Sequence, residues 1–172
     1  MKIVAKLVDS EYPNRGFTHT REIVRAIVYD EKGNVAIHNV VRNDKFCPEG
    51  PQSYYETPGG GVDAGESYEV ALHRECHEEL GYDIEIVGEL GEVDDDYNLI
   101  GRHNKNHYYL AKRTAFVGKH FVSDGDSLIK ATLWVPIDEA ICLYQAMPDH
   151  YVSKIVKNRE LPIFLLAKKA MK

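Results

Sequence analysis

Residues 57–83 read TPGGGVDAGESYEVALHRECHEELGYD, and this stretch decides the fold. Seven carboxylates lie among its 27 residues, and Glu75, Glu78 and Glu79 fall within five consecutive positions. From Ser67 to Leu80 the pattern is helical. Ser67 is placed to cap the amino end, its hydroxyl accepting from a backbone N–H that the helix leaves unpartnered. Gly81 ends the helix, because a residue without Cβ enters the left-handed region at little cost. At about 100° per residue the three glutamates share an arc of roughly 100° on one face. Leu72, Cys76 and Leu80 form an adjacent apolar stripe that can seat the helix on a sheet. Two carboxylates ~6 Å apart repel by roughly 3 kcal/mol at an effective dielectric of 20. No lysine stands four positions beyond any of the three to relieve this, and the macrodipole disfavours anions near a helix carboxyl end. A hard divalent cation would neutralise the row, since magnesium takes oxygen ligands and prefers one or two carboxylates together with substrate phosphates. A solvated acidic face paired with a distant cation is the competing explanation. The glutamates alone do not separate the two.

Outward from this helix the chain alternates strand and turn signals. REIVRAIVYD (21–30) and NVAIHNVV (34–41) are β-rich runs joined through Gly33, which reads as a hairpin. Residues 42–53 hold two prolines and a glycine and predict a surface loop. YYET then forms a short strand entering the Pro58–Gly61 turn. Strands are expected at 82–93, 106–118 and 131–137, around loops at 94–106 and 118–130. A helix starts near Asp138 and runs through Tyr144. Helices over roughly 149–158 and 161–170 follow, the last entered through Pro162, where a missing donor is harmless. There is no internal repeat or linker, so the reading is one mixed α/β layered domain.

Composition bounds the function. With 172 residues, 44% of them hydrophobic, the chain can bury a sizeable core. No apolar run approaches the ~20 residues of a membrane span, and the first residues carry no secretory pattern. Cys47, Cys76 and Cys142 are odd in number and widely spaced, which fits a reduced cytoplasm better than a disulfide framework. A formal charge of -6 disfavours a nucleic-acid partner. From His150 to Lys172 six Lys or Arg face Glu160 alone, and that segment reads as a solvated helix face offsetting an acidic body.

The context of the glutamates separates the two explanations left open above. Gly60, Glu66, Arg74, Glu75, Cys76, Glu78, Glu79, Gly81 and Tyr82 fit G-x5-E-x7-R-E-U-x-E-E-x-G-U, where U is a bulky apolar residue. This resembles the Nudix box of the Nudix hydrolases. Seven fixed letters at ~1 in 15 each coincide by chance on the order of once in 10⁸ placements. Cys76 and Tyr82 depart from the usual aliphatic, which concerns how the helix seats rather than the chemistry. The approach YYETPGGGVDAGES and the late LWVPIDEAI are also similar to the family, so the resemblance covers roughly 21–145, with 146–172 as a helical extension.

The resemblance implies an α/β/α sandwich with a mixed sheet that holds the box as loop–helix–loop. It implies hydrolysis, with Mg2+ or Mn2+, of a nucleoside diphosphate linked to another group: a nucleoside triphosphate, dinucleoside polyphosphate or nucleotide sugar. By the same resemblance Glu75, Glu78 and Glu79 bind the metals with the Gly60 carbonyl, and one of the glutamates activates water. Arg74 holds a neighbouring carboxylate, and Glu66 braces the loop. The partner is a small nucleotide, and a homodimer is an expected assembly. Glu56, Glu92, Asp94, Asp95 and Asp96 are candidates for a further ligand or base, while Glu56 and Tyr97 are candidates for substrate contact. Tyr97 lies fifteen residues past Tyr82, near where a tyrosine marks many diadenosine polyphosphate hydrolases. The proline that marks many ADP-ribose pyrophosphatases is missing from 83–135. Tyr54, Tyr55, Phe17 and Tyr108 are aromatic enough to stack on a base, though core packing is the more usual role. His73 and His77, at i and i+4, have a spacing that can bind zinc but read as surface residues. His103 and His107 read as loop residues, and Cys47 as a plain thiol. Two rivals are a non-catalytic nucleotide sensor and an isopentenyl-diphosphate isomerase-like enzyme. The intact glutamates count against the first, and the intact box with no evident catalytic cysteine setting against the second.

Overall fold

The computed structural model describes residues 1–45, 47–120 and 126–172. Among them are eight strands: β1 Ile3–Leu7, β2 His19–Tyr29, β3 Asn34–Arg42, β4 Gln52–Glu56, β5 Gly59–Gly61, β6 Tyr82–Tyr97, β7 Arg102–Phe116 and β8 Ile129–Pro136. The helices are α1 Tyr68–Leu80, α2 Ile137–Ala146 and α3 Tyr151–Ala170. Strand order is β1-β6-β7-β2-β3-β4, with β5 on β2 and β8 on β3. The sheet is mixed: β1 runs parallel to β6 and β2 to β7, and the other pairs are antiparallel.

Period-2 alternation puts helices on both faces. From β2, Val24, Ala26 and Val28 join Ala71, Leu72 and Cys76 of α1, while Ile27 points into the opposite core with Phe164 and Tyr144. In β7, Tyr109 and Ala111 face α1, and Tyr108 and Leu110 face α2 and α3. This is the expected α/β/α sandwich.

The box helix forms as its sequence dictates. Ser67 has extended backbone, and its Oγ accepts the Val70 N–H at 3.3 Å. Gly81 sits at φ 76°, its N–H donating to the Cys76 and His77 carbonyls. Leu72, Cys76 and Leu80 are buried; each leucine contributes about 1.5–3 kcal/mol.

Several expectations give way. The loop at 94–106 shrinks to a 3₁₀ turn at Asn98–Ile100 with Gly101, because β6 continues to Tyr97 and β7 starts at Arg102. The acidic run fits a strand because Asp94, Asp95 and Asp96 lie opposite Lys105, Asn104 and His103, which offer charge or hydrogen bonds across the ladder. A further strand, β1, covers the edge of β6. The two terminal helices are one, with Pro162 inside α3. The lost N–H would have reached the carbonyl of Asn158, an exposed residue that water can serve. Packing of Val152, Ile155, Val156, Ile163 and Phe164 outweighs that missing bond. On α3, Lys154 pairs with Glu11 at 2.7 Å and Lys157 with Asp149 at 3.2 Å, but Arg159 is buried rather than solvated. Loop 43–51 is shorter than expected and holds a buried Cys47; its Phe46, like 121–125 of the expected 118–130 loop, lies outside the described residues. No described helix is long and apolar enough to cross a membrane.

Candidate active site

A cavity of about 710 Å³ opens where α1, α3 and the sheet meet, a size usual for small-molecule sites. One wall is acidic. Glu75, Glu78 and Glu79 all line it, with Gly60 beside them. Glu75 and Glu79 are buried although charged side chains normally avoid burial. Each is held. Arg74 donates to Glu75 Oε1 at 2.7 Å and stands 3.7 Å from Glu78. Glu79 Oε2 accepts the Gly59 N–H at 2.8 Å and contacts His38 Nε2 at 3.2 Å. Burial pushes Glu75 up to about 7, and the charges of Glu79 and Glu78 add to that against the opposing Arg74. The crowding inferred from helical spacing is therefore present in three dimensions.

Arg74 does more than neutralise. Its guanidinium also donates to Glu66 at 2.9 and 3.0 Å and to the Gly61 carbonyl at 2.9 Å. Arg74 thereby holds Glu66 below the usual carboxylate range. Glu66 accepts the Asp63 N–H at 3.0 Å, so it ties the loop to the helix. The glycine turn is fixed from the other side as well. Thr57 donates its N–H to Glu160 at 2.8 Å, and its carbonyl accepts from Arg25 at 3.0 Å.

The remaining walls differ in character. Arg21, Arg25, Arg42, Arg102 and Arg159 bring positive charge to the lining. Burial, with Arg21 nearby, pushes Arg102 down to about 10, and an anion beside it would act in the opposite direction. Tyr54, Tyr97, Val152, Ile155 and Val156 bring apolar surface to the lining.

Glu56 and Tyr97 both reach this cavity, but Glu56 is engaged. Burial alone would raise its pKa, yet Arg25 at 2.6 Å and Arg159 at 2.9 Å hold it low. Glu92, Asp94, Asp95 and Asp96 do not line the cavity. Asp95 accepts from Asn104 and Asn106 at 3.1 and 2.5 Å. His103 pairs with Asp96 at 2.8 Å, and His107 contacts Glu22 at 2.6 Å while stacking on Tyr68. Tyr108 is core, bonded to Glu160, and Tyr55 and Phe17 lie off the cavity. None of the three cysteines lines it. Sequence reasoning missed His38, Arg25, Arg159 and Glu160. An arginine inside the apolar run IVRAIV and a charged pair on the buried stripe of α3 were the available signals.

A profile of the NUDIX domain matches residues 19–154. A NUDIX hydrolase structure from Nitrosomonas europaea superposes with a TM-score of 0.63 at 19% identity, covering 90% of this chain and 91% of that one. A MutT protein from Methanosarcina mazei Go1 gives 0.57 at 16%, covering 93% and 99%. A MutT NUDIX hydrolase from Burkholderia pseudomallei gives 0.56 at 27%, covering 82% and 98%. The family profile, with the MutT-type neighbours, defines the class as pyrophosphohydrolases. The chain belongs to the NUDIX family.

Proposed function

We propose that this hydrolase cleaves the pyrophosphate of a nucleoside diphosphate linked to another group, with magnesium or manganese. The observation that carries the reading is that Glu75, Glu78 and Glu79 line one cavity together with Arg21, Arg42 and Arg102. The donor set fits a hard cation: Glu75, Glu78 and Glu79 line one cavity, and burial with the charges of Glu79 and Glu78 pushes Glu75 up to about 7, a cost that a cation would offset. Glu75, Glu78, Glu79 and the Gly60 carbonyl would hold it. Bound there, a divalent ion supplies charge neutralisation on the phosphoryl oxygens and a lowered pKa for water.

The protein's own groups do the positioning. Arg74 fixes Glu75, while the Gly59 N–H and His38 fix Glu79, so these two carboxylates are held in place before substrate arrives. One of the three glutamates accepts the proton of the attacking water. Arg21 and Arg102 offer fixed positive charge to the rest of the phosphate chain, and Tyr54 and Tyr97 offer ring faces to a base. An isomerase reading loses support because no cysteine reaches the cavity, and a sensor reading because all three glutamates are in place.

Glu78→Gln and Glu79→Gln test the assignment. Both should fold, with melting curves near wild type, and lose 10²-fold or more of magnesium-dependent turnover on a panel of nucleoside triphosphates, dinucleoside polyphosphates and nucleotide sugars. Wild-type rates in both variants would exclude these glutamates as the catalytic site.

A further inference from the structure

His73 and His77 take no part in the cavity, yet they are not the isolated surface residues of the sequence reading. His73 Nδ1 lies 3.0 Å, and His77 Nε2 3.2 Å, from the same carboxylate oxygen of Asp83. One ligand atom from each of the three residues lies within 4.8 Å of the other two. Spacing of i and i+4 places the imidazoles on one helical face, and the left-handed turn at Gly81 brings the start of β6 back to meet them. Asp83 is itself fixed, since its Oδ1 accepts the Ile84 N–H at 2.9 Å. The three side chains are 38–45% exposed, so an ion can reach them.

Zinc bonds of about 2.0–2.2 Å in a tetrahedron set ligand atoms roughly 3.4 Å apart. Two of the three edges here are already close to that length. We propose that His73, His77 and Asp83 form a site for a zinc-class cation that staples the carboxyl end of α1 to the start of β6. Imidazole nitrogen favours zinc and its transition-metal neighbours, whereas the all-oxygen set of Glu75, Glu78 and Glu79 suits magnesium. The two sides of one helix therefore sort cations by ligand chemistry. Three protein ligands leave a position for water, as in an open zinc site.

The test titrates the whole chain, stripped of metal, with zinc alone against a chromophoric chelator in excess magnesium. One zinc should bind tightly, and it should raise the melting temperature. His73→Ala, His77→Ala and Asp83→Asn should each weaken binding at least as much as loss of a residue that merely orients a ligand, about 10–100-fold. Glu78→Gln combined with Glu79→Gln should leave it unchanged, which separates this site from the catalytic reading. In the unmutated protein, imidazole NMR signals of two of the eight histidines should shift on zinc addition. Equal zinc uptake by wild type and the histidine variants, loss of zinc in the glutamate double variant, or unshifted imidazole signals would each overturn the staple.

Discussion

At Gly60 a hydrogen stands where any other residue would place a carbon 2.5 Å from the Glu75 carboxylate. Glu75 cannot simply move aside, because Arg74 pins its Oε1 at 2.7 Å and Glu66 in turn pins Arg74. Gly60→Ala should therefore keep the fold but displace the carboxylate. A misplacement on the order of 1 Å costs about 10²-fold in rate, so kcat/KM should fall by that order with a melting temperature within a few degrees of wild type. An alanine variant with unchanged kinetics would show that Glu75 need not sit where it does.

The element that matters most is α1, because one helix serves three purposes at once. Leu72, Cys76 and Leu80 anchor it, the glutamates face the cavity, and the histidines face Asp83. Its amino end depends on Ser67, whose hydroxyl satisfies the Val70 N–H. Ser67→Ala should cost about 1 kcal/mol, or roughly 2–4 °C for a chain of this size. Turnover per folded molecule should stay near wild type, since the glutamates lie roughly two to three turns beyond the cap. A calorimetric scan would check the first claim. A melting temperature equal to wild type would mean the packed stripe alone sets the start of the helix.

Across the whole molecule, the sandwich is joined at its centre by buried charge. Glu160 is fully buried on α3 and accepts from Thr57 N–H at 2.8 Å, Tyr144 at 2.7 Å and Arg159 at 3.0 Å. It thus links α2, α3 and the turn that carries Gly59 and Gly60 into the site. Removing one partner from a buried ionic cluster leaves the others unpaired, at a cost of about 3–5 kcal/mol. Glu160→Ala should lower the urea midpoint accordingly and reduce activity under native conditions, because the Thr57 turn loses a tether. Glu160→Gln, which keeps an acceptor, should be milder in both respects. Equal effects of Ala and Gln would point to the charge that both variants remove, rather than to volume or a kept acceptor.

What the sequence determined alone was everything set by short-range geometry. Ser67 and Gly81 bound the box helix, its 3.6-residue period put three glutamates on one face and an apolar stripe beside them, and period-2 runs gave the central strands. The box motif then named the acidic row and its arginine. Tertiary structure decided what depends on contacts between distant residues. It placed His38 and Arg25 against Glu79 and Thr57, turned Arg159 and Glu160 inward from a tail that looked solvated, and brought Asp83 to the histidine pair. It also carried α3 through Pro162, since burial of one helix face outweighs a single missing hydrogen bond. Local propensity fixes a side chain's direction along its own element. Which charge meets it from another element is settled only when the layers close.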